Sequence, residues 1–175
     1  LDALEESYGD GAYHNRRHAA DVVLNMHRYL SASTHASPLH TFAALFAAAC
    51  HGAALLHNTS TAKADALHDY GMHLGIAFQL ADDLLDYAGD PEQTGKNVGD
   101  DLAEGKITLP LLHAMKVGRE ADRLFVADTL RKKDGSAFAD IMSIVKQTGA
   151  IEATREAALE HQSQAINALD VLGQN

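Results

Sequence analysis

Three carboxylates in the middle of the chain have a spacing that suits metal binding. Asp82, Asp83 and Asp86 lie within an apolar run. Helical geometry places Asp82 and Asp86 on one face, with Asp83 beside them. Acidic side chains that point the same way repel one another unless a cation lies between them. Mg²⁺ suits such a cluster because it takes oxygen ligands and usually also holds substrate phosphates. The cluster therefore predicts a magnesium site.

Two lysines that follow the acids supply the opposite charge. Lys96 and Lys106 each come directly after a glycine, and Gln79 precedes Asp82 by three residues on the same helix face. Lysine binds phosphate as a point charge. Acids for a metal and lysines for phosphate together predict a diphosphate site. The plain alternative is a solvated acidic helix end followed by loop lysines, which the flanking glutamine and the paired Gly-Lys steps make less favoured.

The composition narrows the class of protein. The 175 residues are 46% apolar and carry a formal net charge of −10, which argues against nucleic acid as a partner. No apolar run reaches the roughly 18 residues that a membrane span requires. The single cysteine, Cys50, fits a reducing compartment. The expected location is therefore the cytoplasm, with an organelle as the alternative.

Helical periodicity runs through most of the chain and predicts one all-α domain over residues 1–175. No alternating pattern indicates a strand. A polar loop is expected over residues 89–104, and Pro110 is tolerated in the first turn of the helix after it. The predicted helices are residues 1–8, 13–30, 39–57, 62–87, 108–117, 120–131, 136–148 and 151–172.

Residues 75–87 and 95–114 closely resemble the second aspartate-rich motif of the trans-prenyltransferases, the polyprenyl diphosphate synthases. The resemblance covers about residues 41–175. It implies a helical bundle like the C-terminal part of the isoprenoid synthase fold. It also implies Mg²⁺ as cofactor and an allylic isoprenoid diphosphate as ligand. Because members of this family are commonly dimers, a homodimer is a further expectation.

The same resemblance implies roles for individual side chains. The expected metal ligands are Asp82, Asp86 and Asp100. The expected contacts to the diphosphate or the metal shell come from Gln79, Lys96 and Lys106. The expected catalytic set is Asp82, Asp83, Asp86, Lys96 and Lys106, with Asp83 supporting the metal ligands. Such groups would stabilise the charge that develops as the diphosphate departs, while apolar helices would protect the carbocation from water.

The sequence also departs from this family. Its members have a first Asp-Asp-x-x-Asp motif followed by an arginine pair, and no such motif occurs before Leu39. Thr41 and Phe42 stand where the family has a lysine and a threonine. With one of the two metal-binding walls missing, we expect weak metal and diphosphate binding to survive and efficient chain elongation to be lost.

A second resemblance concerns the N-terminus, residues 1–51. Residues 13–22 are similar to the signature of class I cyclic nucleotide phosphodiesterases. That resemblance implies that His14 protonates a leaving oxygen and that His18 and His51 bind metal. Gly52 replaces the aspartate that would bridge two metal ions, so no hydrolysis of cyclic nucleotides is expected.

The two resemblances together predict a chimera, with residues 1–40 phosphodiesterase-like and residues 41–175 polyprenyl synthase-like. Such a chimera could be engineered, a natural fusion or a gene-model error. Three functions remain open: an enzyme of the prenyltransferase class, a phosphodiesterase remnant, and a non-catalytic helical bundle.

Overall fold

A computed structural model describes residues 38–88 and 98–173 of the chain. These residues form helices joined by short turns, and no β-strand occurs among them, which confirms the all-α prediction. The helices are α1 (Pro38–Leu56), α2 (Thr61–Ala88), α3 (Asp100–Glu104), α4 (Leu109–Val117), α5 (Glu120–Lys132), α6 (Phe138–Gln147), α7 (Ala150–Ala168) and α8 (Asp170–Gly173), with a 3₁₀ turn at Gly135–Ala137 before α6.

The predicted helices match these bounds closely from α1 onward, with two corrections. The predicted polar loop over residues 89–104 contains the short helix α3 at its end. The predicted helix over residues 151–172 is instead interrupted at Leu169, where α7 stops and α8 begins. The predicted helices over residues 1–8 and 13–30 lie outside the described residues.

Helix α3 escaped prediction because its five residues are mostly acidic and show no apolar period. It is stabilised instead by its ends and by one anchor. Gly99 and Gly105 flank it with φ of 89° and 74°, a left-handed conformation that glycine adopts without steric cost. Leu102 is completely buried, and Asp100 and Asp101 lie in the first turn, where the helix dipole favours negative charge.

The described residues group into two compact units. In the first, residues 38–76 and 161–173, helices α1 and α2 approach each other closely. A β-carbon added to Gly71 would lie 2.5 Å from the carbonyl oxygen of Phe46, and one added to Gly75 would lie 2.6 Å from the Cα of Ala43. Alanine side chains on α1 complete this contact; Ala47 has no exposed surface.

The second unit, Ala77–Glu160, has a core of larger apolar side chains. It is formed by the end of α2 together with α3 to α6 and the start of α7. Its fully buried members include Leu102, Leu111, Val126, Ile141 and Val145. This core fixes the end of α2 and the start of α4, the two elements that carry the candidate site. The single-domain organisation stays a prediction.

No helix in the described part of the chain combines the length and the hydropathy needed to cross a membrane.

Candidate functional site

Asp83 lies near the end of α2 and is almost completely buried, with 6% of its surface exposed. One of its oxygens accepts a hydrogen bond of 2.9 Å from the amide of Gln79, one turn earlier on the same helix. The other accepts a hydrogen bond of 3.2 Å from the backbone N–H of Leu109, the first residue of α4. Burial raises the pKa of this carboxyl, and the two hydrogen bonds partly oppose that shift.

Asp86 lies one turn after Asp83 and is also buried. Its Oδ1 accepts a hydrogen bond of 3.3 Å from the backbone N–H of Asp101 in α3. Its Oδ2 is buried and has no hydrogen-bond partner among the residues that the structure describes. Burial raises the pKa of Asp86 to about 6, with a smaller contribution from the negative charges of Asp101 and Asp100. A carboxylate held in this way gains from a nearby cation.

Lys106 follows Gly105 in the turn after α3, and it faces two acids. Its Nζ lies 2.9 Å from Asp101 Oδ1 and 2.8 Å from Glu104 Oε2. Hydrogen bonds to Glu104 and then Asp101 raise the pKa of the ammonium group. The side chain is 44% exposed, so a phosphate group arriving from solvent can reach it. Lys106 therefore lies near Asp86, because Asp101 contacts both side chains.

A further buried hydrogen bond joins α2 to the start of α4. Thr108 Oγ1 donates to the hydroxyl oxygen of Tyr87 at 3.1 Å, and both side chains are buried. The aromatic ring of Tyr87 also contacts Phe138, with ring centroids 6.2 Å apart. Burial raises the pKa of Tyr87, so the phenol stays protonated at neutral pH.

Sequence reasoning identified Gln79, Asp83 and Asp86 but missed the partners that the acids find on α3 and α4. It assigned no role to Asp101, Tyr87 or the N–H of Leu109. The available signal was the position of Tyr87 directly after Asp86 and of Thr108 two residues before Pro110. The pairing itself depends on a separation of 15 to 26 residues along the chain, which no local pattern indicates.

The remaining predicted site residues differ in how the structure places them. Asp82 is half-buried on α2 and Asp100 is exposed at the start of α3, whereas Lys96 lies outside the described residues. Within residues 38–88 and 98–173, no three histidine, cysteine, aspartate or glutamate side chains are arranged so that they could hold a metal ion. The ligand set of Asp82, Asp86 and Asp100 therefore stays a prediction.

Comparison with known proteins identifies the family of this chain. A family model described as Polyprenyl synthetase matches residues 9–148, well over half of the chain. The chain belongs to the polyprenyl synthetase family. This result confirms the resemblance found at residues 75–114 and extends it toward the N-terminus.

Similarity to individual polyprenyl synthases supports the same family assignment. The chain is 44% identical over 131 residues to the octaprenyl diphosphate synthase of Escherichia coli K12, an alignment that covers 74% of this chain and 41% of that enzyme. A polyprenyl synthase from Caulobacter crescentus CB15, complexed with calcium and isoprenyl diphosphate, matches with a TM-score of 0.73 and 33% identity over 97% of this chain and 56% of that one. A decaprenyl diphosphate synthase from Rhodobacter capsulatus matches with a TM-score of 0.69 and 32% identity over 90% of this chain and 52% of that one. The chain thus spans less than two thirds of the length of each of these relatives.

The polyprenyl synthetase match begins at residue 9 and so runs across residues 13–22, on which the phosphodiesterase resemblance rests. Of the three histidines that this resemblance implicates, His14 and His18 lie outside the described residues. His51 is half-buried on α1, and its ring meets the edge of the His68 ring with centroids 5.6 Å apart. The comparisons give the chimeric organisation no support, and it stays a prediction.

The end of α2 offers oxygen donors that suit a hard cation. A buried carboxylate oxygen without a partner is costly, and a cation would satisfy it. Within the described part of the chain, Asp86 Oδ2 is such an oxygen. Asp82 and Asp100 offer carboxylate oxygens of the same chemical type, which Mg²⁺ prefers. The donor chemistry therefore fits a magnesium ion.

Proposed function

We propose that this chain binds an allylic isoprenoid diphosphate through Mg²⁺, as the second aspartate-rich wall of a trans-polyprenyl diphosphate synthase. The observation that carries the proposal is the buried Oδ2 of Asp86, which has no hydrogen-bond partner among the described residues and lies beside the pair formed by Lys106 and Asp101. A relative that matches 97% of this chain was crystallised with calcium and isoprenyl diphosphate, which supports both the charge of the cation and the class of ligand.

In this proposal the carboxylates hold the metal ion and the lysines hold the diphosphate. Asp86 would bind magnesium together with Asp82 and Asp100. Magnesium, when bound, would neutralise the charge that develops on a departing diphosphate. Lys106 would release one of its two acidic partners and donate to a phosphate oxygen instead, because a phosphate carries more charge than either carboxylate. Lys96 would also donate to a phosphate oxygen.

We expect binding without efficient prenyl chain elongation. Elongation in this enzyme class needs a second metal-binding wall, and these 175 residues contain a single Asp-Asp-x-x-Asp sequence. A homodimer is part of the proposal, since exposed apolar side chains such as Phe42 and Leu45 lie on α1 and such groups favour association. Light scattering across a range of protein concentrations measures the oligomeric state.

The proposal is tested by calorimetric titration of the full chain with farnesyl diphosphate, with and without Mg²⁺. We expect binding that requires the metal and disappears in Asp86→Ala. Asp65→Ala is the matched control, because Asp65 is an exposed acid on the same helix, and it should bind like the unaltered chain. The proposal fails if binding is independent of magnesium or is unchanged in Asp86→Ala.

The phosphodiesterase alternative makes a different prediction. It requires hydrolysis of cAMP or cGMP that is lost in His14→Ala, and we expect no such hydrolysis because Gly52 cannot bridge two metal ions. A result without diphosphate binding and without hydrolysis would favour the third hypothesis, a non-catalytic helical bundle.

A further inference from the structure

We propose that Asp83 is a positioning residue, which holds the N-terminus of α4 and thereby places Lys106, and that it binds neither metal nor diphosphate. This inference rests on the proposed function of the site. It gives the three acids of the motif two different roles. Asp83 positions α4, whereas Asp82 and Asp86 remain the candidates for binding the metal.

The first step of the argument is that Asp83 is fully engaged. Both of its oxygens accept hydrogen bonds, one from Gln79 at 2.9 Å and one from Leu109 N–H at 3.2 Å. Gln79 is itself buried, with 8% of its surface exposed. Turning Asp83 toward a metal ion would leave a buried donor unpaired, which is unfavourable. Asp86 differs, because its Oδ2 has no partner in the described structure.

The second step concerns how α4 begins. Thr108 is the residue before the helix and has extended geometry, with φ of −104° and ψ of 162°. A threonine at this position usually caps the helix with its own side chain, but here the Thr108 hydroxyl is committed to Tyr87. The carboxylate of Asp83 takes over that task from α2, and a negative charge at a helix N-terminus is favoured by the helix dipole.

The third step connects this cap to the lysine. Lys106 lies three residues before Leu109 in the chain. Its backbone N–H donates to the carbonyl oxygen of Asp101 at 2.9 Å, and the N–H of Asp101 donates to Asp86. The segment that carries Lys106 is therefore fastened to α2 on both sides, by Asp86 through Asp101 and by Asp83 through Leu109.

The test uses magnesium-dependent binding of farnesyl diphosphate and urea unfolding on the same variants. Asp83→Ala removes both hydrogen bonds, and we expect the diphosphate affinity to fall roughly fivefold and the unfolding midpoint to fall as well. Asp83→Asn should keep both, because its oxygen can accept from Leu109 and its amide can donate to a rotated Gln79. We therefore expect this conservative variant to restore affinity and midpoint to about the original values, whereas Asp86→Asn loses its magnesium dependence.

A second variant removes the donor without touching any acid. Leu109→Pro lacks the backbone N–H that Asp83 accepts, yet proline is favoured at the first position of a helix, and the extended geometry of Thr108 is the one that a residue before proline prefers. Leu109→Ala is the matched control for the lost side chain. We expect Leu109→Pro to weaken diphosphate binding and lower the unfolding midpoint beyond the effect of Leu109→Ala.

Two results would overturn the inference: a loss of magnesium dependence in Asp83→Asn like that in Asp86→Asn, or equal behaviour of Leu109→Pro and Leu109→Ala. Failure of the proposed function is a separate outcome. If the unaltered chain shows no magnesium-dependent binding, the unfolding midpoints still decide whether Asp83 anchors α4, since Asp83→Ala and Leu109→Pro should fall and Asp83→Asn should not.

Discussion

Helix α2 makes two different kinds of contact along its 28 residues. In the first compact unit, Gly71 and Gly75 let its backbone lie directly against α1, and the surrounding side chains are mostly alanine. In the second unit, the same helix buries Gln79, Asp83 and Asp86 among polar partners. Every buried polar or charged side chain in the described part of the chain belongs to this second unit.

The contrast separates packing from chemistry. Small residues at a helix contact gain stability by close approach and offer nothing that could bind a ligand. Buried carboxylates reduce stability but can bind a ligand. Burial opposes their charged form and raises their pKa. A fold that buries Asp86 Oδ2 without a partner in its described part gives up stability at that point, and such costs are typical of functional sites.

The largest expected effect comes from the packing region. Gly71→Ala places a methyl group 2.5 Å from the carbonyl oxygen of Phe46, a backbone atom that cannot move aside. We expect the free energy of unfolding to fall by about 2–3 kcal/mol, the usual effect of overpacking, as measured by urea denaturation. Gly52→Ala is the matched control on α1, because no atom of the described residues outside its own helix lies within 4 Å of the added methyl group. That variant should gain about 0.5–1 kcal/mol from helix propensity. Equal effects of the two substitutions would show that α1 and α2 are not closely packed.

The next effect comes from the buried acid. The folded-state pKa of Asp86, about 6, lies above its ordinary value of 3.8, so the folded protein holds a proton that the unfolded chain releases in this range. Stability from Asp86 is therefore fully present at low pH, falls as pH rises from about 4 to about 6, and stays constant above that. Because solvent partly screens this carboxyl, we expect the loss to stay near about 2 kcal/mol. Urea denaturation between pH 4 and 8 should show a shallower decline in Asp86→Asn than in the unaltered chain, and parallel curves would contradict the assignment.

More of the helices α1 and α2 than of the candidate site could be predicted from the sequence. Helices α1 and α2 were predicted nearly to their ends, because apolar periodicity and turn residues are local signals. The acids, Gln79 and Lys106 were also found by local spacing and by resemblance. The cap of α4 by Asp83 could not be predicted, since it joins residues 26 positions apart. The short helix α3 was missed for a related reason, as Leu102 stabilises it by tertiary burial and not by helical propensity.

A smaller effect is expected at the hydrogen bond between Thr108 and Tyr87. Thr108→Val keeps the shape of the side chain but leaves the buried hydroxyl of Tyr87 without its donor, so the free energy of unfolding should fall by about 1–2 kcal/mol. Tyr87→Phe should have a similar effect. A double-mutant cycle measures the coupling, and we expect the double variant to lose about 1 kcal/mol less than the sum of the single variants. Strict additivity would show that the two hydroxyl groups do not interact.

The smallest effect on stability, and a large one on binding, is expected at Lys106. Its ion pairs with Asp101 and Glu104 are exposed to solvent, and exposed pairs contribute little to stability. Lys106→Gln should therefore unfold almost like the unaltered chain, yet bind farnesyl diphosphate in Mg²⁺ roughly tenfold more weakly, since a charged hydrogen bond to phosphate is lost. Lys116→Gln is the control, because Lys116 is an exposed lysine on α4 outside this cluster, and its binding should be unchanged. Equal weakening in both variants would mean that the net positive charge of the lysines, and not a specific contact, attracts the diphosphate. Lys106 would then not belong to the binding site.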